Sequence, residues 1–146
     1  MRNVARFHVE IVNLEKHAVL GCDLLLKVKA QFGFFEVGIG WIPWLLDRLE
    51  MAYDARPAAR EKATRRPKDC FDNFYFSLGS EDSTLPDVVK RMGSSRLMIG
   101  SDFPHPDGTA PNTISMLEAR PGLTVQNRDN LLGATAADFF GIKQSQ

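Results

Sequence analysis

With 146 residues, the chain has room for one ordinary domain and not for two of standard size. Eighteen basic and eighteen acidic side chains cancel, which leaves no electrostatic footprint for nucleic acid or an anionic membrane, and 44% hydrophobic with 25% charged residues is a soluble globular balance. No apolar run approaches a membrane span, no apolar signal core follows Met1–Arg6, and Cys22 and Cys70 match no metal or redox spacing, so a reduced, cytoplasmic setting is expected.

Residues 1–30 are the least legible. Val4, Phe7, Val9, Ile11, Val12 and Leu14 fit neither the helical nor the strand period, and Val19–Val28 reads as a helix feeding the next strand. His8 and His17 fall here and read as ordinary surface or core residues. Phe32–Gly40 reads as an aromatic strand ending in a Gly-x-Gly turn. Glu36 interrupts it, either as a salt-bridged carboxylate at an edge or as a group at a pocket mouth. Trp41–Ile42–Pro43 opens a helix with Pro in its first turn, and Trp44, Leu45, Leu46, Leu49 and Tyr53 follow as a core-facing stripe.

Arg56–Lys68 is charged and Pro-punctuated, and its basic residues Arg60, Lys62, Arg65, Arg66 and Lys68 read as a solvated face. A helical turn over Lys68–Phe71 precedes a second strand over Asn73–Leu78. A short helix through Val88–Met92 follows and closes on Gly93. A third strand is expected over Leu97–Gly100, apolar in the manner of a strand buried on both faces. After it come helix-compatible residues from Pro111 to Leu117 and a last helix from Thr124 to Phe140. That helix would bury Leu131, Leu132, Ala136 and Phe139 and end at Gly141. Alternating strands and helices with short connections predict an α/β fold with a parallel sheet.

The third strand and its exit organise the chain. Asp102 stands where the strand gives way to the Pro- and Gly-rich loop Phe103–Gly108. A carboxylate there is either an Asx-turn residue that satisfies loop donors or a functional group, because parallel α/β sheets hold ligands at the C-terminal strand ends. The residues alone leave these two readings level.

Four blocks are similar to the amidohydrolase-related family (amidohydrolase 2), in the branch of aminocarboxymuconate-semialdehyde and resorcylate decarboxylases. FEVGIGWIPWLLDRLE at 35–50 resembles that family's sixth strand and following helix, and NFYF at 73–76 its seventh strand. RLMIGSDFPH at 96–105 resembles the eighth strand, and LLGATAADFFG at 131–141 the closing helix. The resemblance implies that residues 1–146 form a single partial domain, with 20–142 matching strands 6–8 of a TIM (β/α)8 barrel and 1–19 matching poorly. It also implies a divalent metal ion, zinc first and manganese second. Asp102 would be the metal ligand and catalytic proton carrier, and Glu36, Trp41 and His105 would contact a small carboxylic or aromatic substrate. The family's His-x-His or Glu-x-His pair is absent, His8, His17 and His105 being the three histidines, and Thr135 stands where the family carries Asn.

The expectation is therefore the C-terminal part of a metal-dependent hydrolase or decarboxylase, inactive alone and completed by a second copy or a complementing chain. The alternatives are a non-catalytic remnant serving as an interaction module, and a small doubly wound domain in which Asp102 binds a ligand without metal.

Overall fold

The computed structural model describes residues 31–55, 57, 60 and 65–143. The expectations for His8, His17, Cys22, Lys62 and the helix over Val19–Val28 lie outside the described residues. In chain order the elements are β1 (Phe32–Phe34), α1 (Ile42–Ala55), and α2 (Pro67–Cys70), which runs into a 3-10 turn at Phe71–Asn73. Then come β2 (Phe74–Gly79), α3 (Leu85–Met92), β3 (Leu97–Gly100) and α4 (Thr113–Ala119). The chain closes with α5 (Val125–Asp129), a π-helical turn at Asn130–Ala134, and α6 (Thr135–Phe140). The strands form one sheet in the order β1-β2-β3, with β2 and β3 parallel, Phe76 opposite Leu97 and Gly79 opposite Gly100. Consecutive strand order with parallel pairing is what successive βα units produce.

Two compact units divide the chain: Met1–Gly33 with Ile42–Phe74, and Phe34–Trp41 with Tyr75–Gln146. In the first unit, Ile42, Leu46 and Leu49 recur at helical spacing and are the buried face of α1. Trp44, expected on that stripe, is 61% exposed. It stands about 200° around the helix from Ile42, on the opposite side. Arg66, expected to be solvated, ties α2 to α1 instead. Its Nε donates to Glu50 Oε2 at 2.8 Å and its Nη2 to Asp54 Oδ1 at 2.9 Å, and the guanidinium lies 5.1 Å from the Tyr53 ring centroid. The Glu50 hydrogen bond, ahead of the charges of Glu50 and Asp54, raises the Arg66 pKa from its ordinary value.

In the second unit the core is built from Tyr75, Phe76 and Leu78 of β2, Leu97 and Met98 of β3, Leu85 and Val88 of α3, Leu117, Leu131 and Phe139. Each fully buried leucine here contributes about 2 kcal/mol. α3 begins at Leu85, three residues before the predicted start, and closes on Gly93 as expected. The single helix expected over Thr124–Phe140 is divided. Thr124 caps α5 reciprocally with Asn127: Thr124 Oγ1 accepts the Asn127 N–H at 3.2 Å, and Asn127 Oδ1 accepts the Thr124 N–H at 2.9 Å. At Gly133 the backbone turns to φ 171°, which no helix carries, and the chain widens into the π turn. Leu131, Thr135 and Phe139 are buried, and Leu132, expected in the core, is 40% exposed. The Thr135 hydroxyl is satisfied there by donating to Ser94 O at 3.3 Å.

No helix among the described residues is long and apolar enough to cross a membrane.

Candidate functional site

Parallel pairing brings β2 and β3 to an end at the same level, on Gly79 and Gly100. Just past those ends the chain turns acidic: Glu36 follows β1 by two residues, Glu81 follows β2 by two, and Asp102 follows β3 by two. Glu36 and Asp102 both adopt left-handed φ, 61° and 55°. Asp enters that region readily, but for Glu it costs about 1 kcal/mol or more, so its surroundings must hold it there.

The loop after β3 folds back on its own start. The His105 N–H donates to Asp102 O at 2.8 Å, the Gly108 N–H to His105 O at 3.0 Å, and the Thr109 N–H to Ser101 O at 2.9 Å. Gly108 makes this closure feasible, because a Cβ there would lie 2.7 Å from Ser101 O and 2.9 Å from Asp102 O. Thr109 Oγ1 and Thr113 Oγ1, 2.8 Å apart, tie the loop to the start of α4. The turns gather three side chains. Donor atoms of Asp102, His105 and Asp107 all lie within 4.8 Å of one another, and all three residues are exposed. Two carboxylates at that spacing repel, and a cation between them converts the repulsion to attraction. One imidazole nitrogen and two carboxylate oxygens form a donor set that fits divalent manganese, iron or zinc.

Of the residues singled out in the sequence, Asp102 and His105 are therefore brought together. Asp107, read only as part of a turn, joins them. Its signal was the Asp-Gly pair before the chain resumes, which predicts a turn but not what the turn assembles. Glu36 and Trp41 lie elsewhere on the rim, on the loop after β1, with β2 between them and Asp102, so roughly 10 Å of sheet separates the two loops. The expected strand over Phe32–Gly40 stops at Phe34, so Glu36 is an exposed loop residue and no edge of a strand. Trp41 is half-buried. Its indole N–H is shared between Val37 O at 3.1 Å and Gly38 O at 3.0 Å, and its ring packs edge-on against Phe34 and Phe76.

No protein-family profile matches the chain. Over 111 residues, 74% of its length, it is 28% identical to 2-amino-3-carboxymuconate-6-semialdehyde decarboxylase of Dictyostelium discoideum, of which it covers 30%. An amidohydrolase from Mycobacterium avium subsp. paratuberculosis K-10 superposes with a TM-score of 0.70 at 23% identity, over 86% of this chain and 31% of that one. A dihydroxybenzoic acid decarboxylase from Polaromonas sp. JS666, solved with bound manganese and the inhibitor 2-nitroresorcinol, gives 0.66 at 20% identity, over 90% of this chain and 40% of that one. The chain thus spans about a third of the length of the relatives it matches. An α/β architecture with a three-stranded sheet is consistent with part of the barrel expected for such proteins.

Proposed function

We propose, from the relationship of this chain over part of its length to amidohydrolase-2 proteins, that it carries the C-terminal rim of a metal-dependent site for a small aromatic or enol carboxylic acid. On this reading β1, β2 and β3 are the sixth, seventh and eighth barrel strands, and the reaction is loss of carbon dioxide, with hydrolysis the alternative. The observation that carries it is the three-donor group at the exit of β3. Asp102, His105 and Asp107 would hold a divalent ion, manganese or zinc. When bound, the ion supplies a Lewis-acid contact for acidic substrate oxygens. Asp102, ligating through one carboxylate oxygen, would accept and release a proton on the other, while Glu36 and Trp41 would contact the substrate from the β1 loop. His105, expected as a substrate contact, is here assigned to the ion.

All three donors are exposed among the described residues, which therefore form no wall that excludes water from the ion. Turnover by this chain alone is therefore expected to be absent, and a second copy or a complementing chain would close the site. The same exposure favours the second reading, a non-catalytic module. Titration of the full chain with Mn²⁺ and Zn²⁺, followed by calorimetry and by manganese electron paramagnetic resonance, separates the two. Stoichiometric binding that is lost in Asp102→Ala supports the metal site; equal, weak binding by parent and variant removes it and leaves the module.

A further inference from the structure

The left-handed backbone at Glu36 needs a cause outside the residue, and the loop around it supplies two. The first is internal: the Trp41 indole N–H takes the carbonyls of Val37 and Gly38, so the segment is drawn back on itself. The second comes from the loop after β2. Asp82 Oδ2 accepts the N–H of Ile39, 43 residues away in sequence, at 3.3 Å. Its other oxygen, Oδ1, accepts from the Thr84 N–H at 2.9 Å and from the Thr84 hydroxyl at 2.6 Å, just ahead of α3. One carboxylate therefore joins the exit of β1 to the exit of β2.

The two loops touch elsewhere as well. A Cβ at Gly40 would lie 3.3 Å from Thr84 Cγ2, tighter than an ordinary contact, so the first loop passes close against Thr84 at this glycine. Ile39 is fully buried between the exposed residues Gly38 and Gly40, which makes its N–H the fixed point of the segment.

We propose that Asp82 is a positioning residue: through its two carboxylate oxygens it fixes the 36–41 loop, and with it the placement of Glu36 and Trp41 on the ligand-facing rim. This deepens the reading above and rests on it for the words "ligand-facing"; the fixing itself is tested independently. In a Trp44→Phe background Trp41 is the one tryptophan. There, Asp82→Ala is expected to red-shift Trp41 emission and to speed amide exchange at Ile39 by about tenfold, the change that loss of one hydrogen bond to a charged group produces. Exchange at Leu97 and Met98 stays at the parent rate. Asp82→Asn keeps one accepting oxygen and is expected to give an intermediate rate, and it is the test should the alanine variant not fold. Thr84→Ala serves as the control. If it loosens Ile39 as much as Asp82→Ala does, the effect belongs to the start of α3 and the proposal is overturned. Unchanged Ile39 exchange and Trp41 emission in both Asp82 variants overturn it equally. Binding of 2-nitroresorcinol with Mn²⁺ is then measured on parent, Glu36→Ala and Asp82→Ala. Weakening in both variants at unchanged Mn²⁺ affinity supports positioning. Absence of binding by the parent counts against the proposed function and leaves the Ile39 and Trp41 results standing.

Discussion

Tyr75→Phe removes one oxygen from the core and tests whether the two ends of the sheet serve different purposes. Tyr75 is fully buried near the start of β2, level with Arg96 just ahead of β3. Its hydroxyl donates to Asp138 Oδ2 at 2.5 Å and accepts from Arg96 Nη1 at 2.7 Å. Both bonds involve an ionised partner, a type worth about 1.5–3 kcal/mol each when fully buried. The partners are not fully buried: the Arg96 side chain is 30% exposed and that of Asp138 57%, and the two also meet directly at 3.6 Å. Water and that contact recover much of the loss, so the cost of Tyr75→Phe is about 1–2 kcal/mol, or a fall in Tm of roughly 3–6 °C. Tyr75→Ala also loses the ring contacts to Phe139 and the Arg96 guanidinium, and is expected to cost about 3–5 kcal/mol. Urea denaturation followed by far-ultraviolet circular dichroism measures both. In barrel architecture the N-terminal strand ends serve stability and the C-terminal ends serve chemistry. Mn²⁺ affinity should therefore stay within about twofold of the parent in Tyr75→Phe, the behaviour of distant, independent sites. A stability loss below about 0.3 kcal/mol, the level of an ordinary surface substitution, would refute the hydrogen-bond argument. A parallel collapse of metal affinity would refute the division between the ends.

Asp107→Ala leaves the fold intact and weakens Mn²⁺ binding by about tenfold or more, since it removes one of three donors; calorimetric titration reads the change, and an unaltered constant would assign the ion to other groups. Gly108→Ala must push Ser101 O, Asp102 O and His105 O away from the new methyl group, so both Tm and Mn²⁺ affinity fall, whereas a loss of Tm alone would separate the loop's closure from the donor arrangement. Thr124→Ala breaks the reciprocal cap of α5 and costs about 1 kcal/mol in chemical denaturation with metal binding unchanged.

Legibility followed the range of the forces that decide each element. α1 and β3 are visible in the sequence because burial acts at a fixed period, Ile42, Leu46 and Leu49 on one helical face and Leu97 to Ile99 as a short apolar run. Trp44 is apolar enough for the core stripe, but the phase of the helix, set by Ile42, turns it outward. β1 was overdrawn for the opposite reason. Phe35 and Val37 are apolar enough to extend a strand, but two left-handed residues, Glu36 and Gly38, bend the chain away after Phe34. The break at Gly133 was equally invisible, since a lone glycine in a helical pattern is usually passed over and only its backbone conformation divides the helix.

At the site, the same distinction separates what one loop contains from what several loops share. Asp102 stands out in the sequence because it sits at the exit of a short apolar strand; its side chain is exposed, so no burial cost decides between an Asx-turn residue and a functional group. His105 and Asp107 lie within five residues of it, so a single turn-rich loop brings all three together. Asp82 had no such local signature. Its oxygens accept from Thr84, just ahead of α3, and from Ile39 on the loop after β1, a pairing that follows from β1 and β2 being neighbours in the sheet. A carboxylate whose two oxygens answer to two different loops is therefore visible only after the strand order is known, and in a rim built from successive βα loops such residues are where positioning is to be looked for first.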